Sequence, residues 1–147
     1  MSPQLWVAAR PNGAGKTTLV SARVRQRVPV VNPDDIAAAL PLIGGRSGLR
    51  HAGEATLRER VRLLDSRESL AIETTLTGSS TLKFMQATRI TGYRVTLVYA
   101  GLQSATLVLR RVALRVRRGG HSVPLDAINR RYPAFIANLP RAALLAE

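Results

Sequence analysis

The stretch AARPNGAGKTT, residues 8–18, constrains the fold of this chain more than any other segment. It ends on Gly15, Lys16 and Thr17, which match the close of the phosphate-binding pattern G-x-x-x-x-G-K-[ST]. An apolar run precedes the stretch and indicates a short buried strand, and a helical pattern follows it. This strand–loop–helix order lets consecutive backbone N–H groups converge on one anion, so the pattern predicts nucleotide binding.

The loop and the first turn of its helix supply the residues that we expect to bind ATP. Lys16 would reach the terminal phosphates, and the Thr17 hydroxyl would bind Mg²⁺. The predicted nucleotide-binding set is Asn12, Gly13, Ala14, Gly15, Lys16, Thr17 and Thr18.

Arg10 occupies the position at which the pattern has its first glycine. Glycine adopts backbone angles that are costly for arginine, and the long side chain must be accommodated. Two outcomes are open. The guanidinium points outward and leaves the loop intact, or it distorts the cradle and weakens ATP binding.

Strand-like and helix-like runs alternate along the 147 residues, which predicts one α/β domain. We expect a three-layer, mostly parallel sheet of the P-loop NTPase type, flanked by helices, with a helical lid near residues 104–139. No further strand pattern follows that segment, so the sheet is small or a longer domain is shortened. The predicted strands are Leu5–Ala9, Val28–Val31, Ser69–Glu73 and Tyr93–Gly101, and the predicted helices include Thr17–Arg27, Pro33–Leu40, Arg50–Ser66 and Ser80–Thr91.

Three details of the helices can be predicted from spacing. In the third helix, Leu57, Val61 and Leu64 share one face. After the fourth strand, residues 105–116 keep helical apolar spacing with arginines on the opposite face. Pro133 should kink or divide the helix that follows Pro124.

Composition limits the location and the partners of the chain. It has no cysteine, which excludes disulfides and thiolate chemistry, and no apolar run approaches the length of a membrane span. We therefore expect a cytoplasmic protein. The net charge of +13 would attract nucleotides, nucleic acid or an acidic protein, but a bias toward arginine codons explains it equally well. With 4% aromatic residues, no specific binding of nucleic acid is expected.

Acidic residues follow two of the predicted strands. In a parallel sheet, ligands gather at the carboxyl ends of the strands. Asp34 starts the helix after the second strand, where it is either a helix-capping acid or the general base for an acceptor hydroxyl. Glu73 ends the third strand and is followed by Thr74 and Thr75. A carboxylate there is either solvated or directed at a ligand or metal.

Arginines cluster on both sides of Gly119-Gly120. Two arginine-bearing helices joined by such a hinge could close over ATP, with an arginine neutralising charge during transfer. A solvated basic face is the alternative. His121 lies in the connecting loop and has no metal-ligand spacing with acids, so any metal would be Mg²⁺ carried by the nucleotide.

Taken together, the segments PNGAGKTT, VNPDDIA, AIETTL, GYRVTLVYAGL and RVRRGGHSVPLDAINRRYPAFIANLP resemble the zeta toxin family of P-loop kinases over residues 4 to about 143. The resemblance implies that Lys16 and Thr17 bind ATP-Mg²⁺ and that Asp34 is the base. It implies that Glu73, with Thr74 and Thr75, holds the substrate. Phosphate contacts would come from lid arginines among 115, 118, 130 and 131, of which Arg118 and Arg130 are the candidates.

The resemblance also implies a function and a partner. Well-understood zeta toxins phosphorylate a UDP-sugar and are held inactive by an antitoxin protein. The leading hypothesis is therefore an ATP-dependent phosphotransferase that acts on a hydroxyl of a small substrate. The alternative, motivated by Arg10 and the short C-terminus, is a degenerate, non-catalytic binding protein of the same fold.

Overall fold

The structure is a computed structural model that describes residues 1–11, 22, 24–40, 45–100, 104–119 and 124–147. Four strands form one sheet: β1 (Gln4–Ala9), β2 (Val30–Val31), β3 (Leu70–Thr74) and β4 (Arg94–Tyr99). Five helices lie in the described ranges: α1 (Pro33–Ala39), α2 (Gly45–Asp65), α3 (Ser79–Ile90), α4 (Ala105–Arg117) and α5 (Leu125–Leu145). All the strands pair in parallel, in the order β2-β3-β1-β4.

The register of the sheet gives it one strongly apolar face. Leu5 and Val7 of β1 lie level with Leu70 and Ile72 of β3, and Val95 of β4 lies beside Leu5. All five are fully buried. A single cluster joins this face to α2, α3 and α5, through residues that include Leu63, Met85 and Phe135. The predicted α/β fold with a parallel sheet is confirmed.

The opposite face of the sheet is lined by Trp6, Ala8 and Glu73. Val24, from the chain that leads into β2, lies against this face. Around Glu73 this face is apolar, formed by Trp6, Ala8, Val24, Val30, Ala71 and Val98.

The buried face of α2 differs from the predicted one. Leu57 and Val61 are 57% and 53% exposed, whereas Thr56 and Arg60 are buried. Thr56 satisfies its hydroxyl within the helix by donating to Ala52 O at 2.7 Å. The guanidinium of Arg60 lies 5.1 Å from the ring centroid of Phe84. Spacing alone favoured the face with Leu57 and Val61. It could not show that Thr56 and the stem of Arg60 pack against the body of the protein, as apolar side chains do.

α5 connects two separate apolar clusters. Phe135 and Ala142 belong to the main core, while Ile128 packs with Val108 and Val112 of α4, and Tyr132 lies against that second cluster. Of the two outcomes predicted for Pro133, a divided helix is wrong, because α5 continues through Pro133 to Leu145, and a kink stays a prediction. The proline instead falls at the boundary between the two clusters.

Two hydrogen bonds fix the direction of α5. Asn138 Nδ2 donates to Leu76 O at 2.9 Å, just beyond the carboxyl end of β3, and Glu147 N donates to Val95 O at 2.8 Å, near the amino end of β4. Residues 125–132, which precede the part of α5 in the main core, thus extend past the carboxyl edge of the sheet, over roughly 12 Å at 1.5 Å per residue. Together with α4 they form a projecting pair, here called the α4–α5 hairpin.

Candidate active site at the carboxyl edge of the sheet

The carboxyl ends of β2, β3 and β1 lie side by side, which brings together side chains that are far apart in sequence. The ladder continues one residue past the strands: Arg10 N donates to Thr74 O and Ala100 N donates to Ala9 O, each at 3.0 Å. Arg10 therefore starts its loop in regular strand geometry beside the end of β3.

Glu73 is the centre of the site. It is 5% exposed, and its carboxylate accepts three hydrogen bonds from side chains. Oε2 accepts from Arg10 Nη2 and from Asn32 Nδ2, both at 2.8 Å, and Oε1 accepts from Arg25 Nη2 at 3.0 Å. Burial of an ionised carboxylate is costly unless it is paired and hydrogen-bonded, and here it is both.

Arg25 links Glu73 to the first turn of α1. Its Nη2 also donates to Asp35 Oδ2 at 3.1 Å. The hydrogen bonds to Glu73 and then to Asp35 raise the pKa of Arg25 above its ordinary value. The guanidinium therefore remains a fixed positive charge between two acids.

Asn32 connects Glu73 to Asp34. It is the N-cap of α1, and its Oδ1 accepts from Asp34 N at 2.9 Å while its Nδ2 donates to Glu73. Asn32, Pro33 and the two acids of the first turn make a favourable helix start. Because both ends of the Asn32 amide are used, the start of α1 is held at a fixed position relative to Glu73.

The acids of the first turn differ in their pairing. Asp35 is bound by Arg25, whereas Asp34 is exposed and forms no ion pair within the described ranges. Asp34 is therefore the carboxylate at this edge that is available to a ligand. Among those same ranges, no three potential metal ligands are grouped closely enough to hold an ion.

The turn after β3 is held by its own side chains. Thr74 Oγ1 accepts from Leu76 N at 2.9 Å and lies 3.1 Å from Thr81 Oγ1. Leu76 has φ of +53°, a conformation that is unfavourable for leucine, yet its side chain is fully buried. The core contact and the bond from Asn138 compensate for this strain. Thr75 Oγ1 lies 3.2 Å from Thr77 Oγ1.

No family model matches the chain. An uncharacterized protein of Haemophilus influenzae (strain Rd) is 29% identical over 121 residues, which cover 82% of this chain and 86% of that protein. The similarity thus extends over most of both chains.

Solved structures resemble the chain over nearly its whole length. A chain of the PezAT chromosomal toxin–antitoxin system of Streptococcus pneumoniae matches with a TM-score of 0.74 and 19% identity, over 99% of this chain and 65% of that one. A chain of the Pnkp1/Rnl/Hen1 RNA repair complex matches at 0.73 with 18% identity, over 95% and 46%. A gluconokinase from Sinorhizobium meliloti matches at 0.57 with 17% identity, over 90% and 75%. The fold is that of a P-loop kinase. This chain spans about two thirds of the first matched chain and about half of the second.

Within this P-loop kinase fold, the predicted site residues fall into three groups. Asp34, Glu73, Thr74 and Thr75 lie together at the carboxyl edge. Arg118 and Arg130 are exposed on the α4–α5 hairpin, together with Arg131. Residues 12–18 and His121 lie outside the described residues, so their predicted roles stay predictions.

The guanidinium of Arg10 does not point outward but across to the carboxylate of Glu73. The other expected outcome, a distorted phosphate cradle, concerns residues 12–18, which lie outside the described residues. Glu73 is not solvated, because it is buried and paired within the protein, and its expected contact with a ligand stays a prediction.

Sequence reasoning missed Arg25 and the second role of Asn32. Arg25 lies in the helical run after the phosphate-binding loop, where nothing local distinguishes it from the other arginines. Asn32 carried a signal only as a helix cap. Their contacts with Glu73 span 48 and 41 residues and depend on the strand order, which local patterns do not encode.

Among the described residues, none of the helices could span a membrane.

Proposed function

We propose that this protein is an ATP-dependent phosphotransferase of the zeta-toxin type, which transfers the γ-phosphate of ATP to a hydroxyl of a small substrate such as a UDP-sugar. One observation carries the proposal: Asn32 fixes the turn that bears Asp34 while also bonding Glu73. An available carboxylate is thereby held at a defined place at the edge where ligands of such sheets bind.

Asp34 is the general base in this proposal. Its carboxylate would accept the proton of the acceptor hydroxyl as that oxygen bonds to the γ-phosphorus, while the bond from the γ-phosphorus to the β–γ bridging oxygen breaks and ADP leaves. Asp35 is less suited to that task, because its carboxylate already accepts from Arg25. Positioning is the main contribution that a protein makes to phosphoryl transfer, and the Asn32 cap supplies it here.

Residues 12–18 would hold ATP with Mg²⁺, Lys16 at the terminal phosphates and Thr17 at the metal. Bound ATP-Mg²⁺ supplies the phosphoryl group and neutralises part of its charge. The described acids fit a metal that arrives with the nucleotide: Glu73 and Asp35 are committed to arginines, and no three-ligand cage lies among the described residues. Mg²⁺ commonly keeps several waters and few protein ligands.

Glu73, Thr74 and Thr75 would contact the acceptor. Glu73 would bind the acceptor by giving up one of its present hydrogen-bond donors. Arg10 is the donor that would be exchanged, because it occupies the position at which a phosphate-binding loop has glycine. The Thr74 hydroxyl is engaged with Leu76 N and Thr81, so its contribution is to shape the turn. Thr75 is half-buried beside it.

The α4–α5 hairpin would act as a lid. Arg118 and Arg130 are exposed on it, and the hairpin extends past the carboxyl edge where the phosphates would lie. Closure would bring an arginine to the transferring group and exclude water.

An antitoxin protein is the partner that this proposal implies, and the cytoplasm is the implied location. The similarity to a chain of a toxin–antitoxin system supports the first of these. The solved structures are similar to this chain in fold only. The partner protein and the phosphate acceptor are therefore proposals.

The test is transfer of labelled phosphate from ATP to a panel of UDP-sugars, nucleosides and aminoglycosides. Asp34→Asn should lower the rate by about 10²-fold or more, since it removes the base but keeps the helix start. Asp65→Asn, which neutralises an exposed acid at the end of α2, should leave the rate unchanged. Absence of transfer, together with no thermal stabilisation by millimolar ATP, would overturn the proposal.

A second candidate is a degenerate, non-catalytic binding protein of the same fold. The Arg10–Glu73 pair favours it, because the pair occupies the acid that would hold the acceptor. Arg10→Gly separates the two candidates. Transfer that arises only in the variant would indicate a degenerate parent, whereas equal transfer in both proteins would dismiss degeneracy.

A further inference from the structure

The α4–α5 hairpin concentrates positive charge. Residues 104–132 contain seven of the 22 basic residues of the chain and one of its nine acids, Asp126. All seven basic residues are arginines: 110, 111, 115, 117, 118, 130 and 131. Nearly half of the net charge of +13 thus comes from one pair of helices.

These arginines differ from those elsewhere in their pairing. On the rest of the protein, five of the eleven arginines whose side chains are described form ion pairs with acids, among them Arg50–Glu54, Arg62–Glu59 and Arg94–Glu147. On the hairpin, the six arginines whose side chains are described are exposed, and none of them forms an ion pair with a described residue. Their charge is therefore not compensated within this part of the chain.

The spacing of the arginines indicates an extended anion. Arg110 and Arg111 precede Arg117 and Arg118 by seven positions on α4. At 1.5 Å per residue the two doublets are about 10 Å apart along the helix axis. The phosphates of one pyrophosphate share a bridging oxygen and lie much closer together. A chain of phosphates can engage both doublets, and the planar arginine fork suits each phosphate.

An exposed aromatic ring precedes the hairpin in the sequence. All six aromatic residues of the chain are in the described ranges, and Tyr99 is the exposed one, at 58%. It ends β4 level with Ala9, six positions before α4 begins at Ala105. Sites for single-stranded nucleic acid combine a basic track for the backbone with an aromatic ring on which a base stacks.

We propose that the exposed face of the α4–α5 hairpin, together with Tyr99, binds single-stranded polynucleotide without regard to sequence. Phosphate contacts carry no sequence information, so this proposal agrees with the expectation that specific recognition is absent. The aromatic ring favours nucleic acid over an acidic protein. The surface shares Arg118 and Arg130 with the proposed lid, but Arg110, Arg111 and Tyr99, which the test changes, have no role in the proposed phosphotransfer.

The test is fluorescence anisotropy of the full chain with a labelled RNA single strand of about 12 nucleotides, titrated between about 50 and 200 mM salt. The double variant Arg110→Ala/Arg111→Ala should reduce the slope of log K against log salt by about 1.4, because each lost phosphate contact removes about 0.7. Tyr99→Ala should weaken binding about tenfold, and Tyr99→Phe should restore it.

The matched control is Arg58→Ala/Arg141→Ala, which removes the same charge from exposed positions on α2 and the lower part of α5. The control should keep the wild-type slope. An equal loss of slope in both double variants would overturn the proposal, because the attraction would then be due to overall charge. Competition by polyglutamate as strong as that by unlabelled RNA would also overturn it and indicate an acidic protein as the ligand.

Discussion

Arg10 Nη2 and Glu73 Oε2 are 2.8 Å apart and join the carboxyl ends of β1 and β3. The arginine side chain is 20% exposed and the glutamate side chain 6%, so the pair is largely shielded from water. A glycine at position 10 would leave Glu73 with Arg25 and Asn32 as donors. The arginine at this position is thus part of a buried polar network, which explains how the chain accommodates it.

The Arg10–Glu73 pair should be measurable as a coupling energy. We expect Arg10→Met to lower the free energy of unfolding by about 1–2 kcal/mol, less than for a fully buried pair because Glu73 keeps two other donors. In a double-mutant cycle with Glu73→Gln, measured by urea denaturation, the coupling should reach about 1 kcal/mol. Additive effects within about 0.3 kcal/mol would show that the two side chains do not interact in solution.

The strands and helices of this protein follow from patterns that the sequence shows locally. Apolar runs such as Leu5–Ala9 and Leu70–Thr74 have no alternative to a buried strand, and Asn32-Pro33 marks a helix start. The candidate acids could be predicted because parallel strands place their carboxyl ends together. The donors of Glu73 could not, because any of 20 arginines might in principle have reached it. Periodicity failed at α2, where the long stem of Arg60 is buried and Leu57 is not.

Tyr93 should make stability depend on alkaline pH. Its hydroxyl donates to Glu68 O at 3.1 Å, the residue is 3% exposed, and burial raises the pKa of Tyr93 above its ordinary value. The folded state therefore binds the phenolic proton more tightly than the unfolded state does. This stabilisation is complete below the unfolded pKa of about 10 and is lost as pH rises through the folded pKa.

The measurement is the free energy of unfolding of the wild type minus that of Tyr93→Phe, between about pH 8 and 11. The difference should be about 1 kcal/mol at the lower end, from the lost hydrogen bond, and should shrink as pH rises. Because the two proteins differ only at residue 93, contributions from all other groups cancel in the difference. A difference that is constant across this range would contradict the prediction.

Arg60 should be replaceable without loss of stability. It is 7% exposed, burial lowers the pKa of Arg60, and its Nε has no hydrogen-bond partner among the described residues. The contact with the Phe84 ring contributes about 0.5–2 kcal/mol, which is comparable to the cost of the unpaired N–H. Arg60→Met, which keeps the apolar stem, should leave the free energy of unfolding unchanged or raise it by about 1 kcal/mol. A loss above about 2 kcal/mol would show that the charge itself is required.

Pro133 lies between Tyr132 of the hairpin cluster and Phe135 of the main core, so it should weaken α5 where the two clusters meet. A proline inside a helix removes the hydrogen bond to the carbonyl four residues earlier, here that of Asn129. Pro133→Ala should therefore increase the amide-exchange protection of residues 125–132, without a change in the protection of β1.

The control is Pro140→Ala, a change of the same kind in the part of α5 that packs against the core. It should stabilise α5 without a selective effect on residues 125–132. If hairpin closure limits phosphate transfer, Pro133→Ala will also lower turnover and Pro140→Ala will not. Equal protection changes from the two variants would contradict a junction at Pro133.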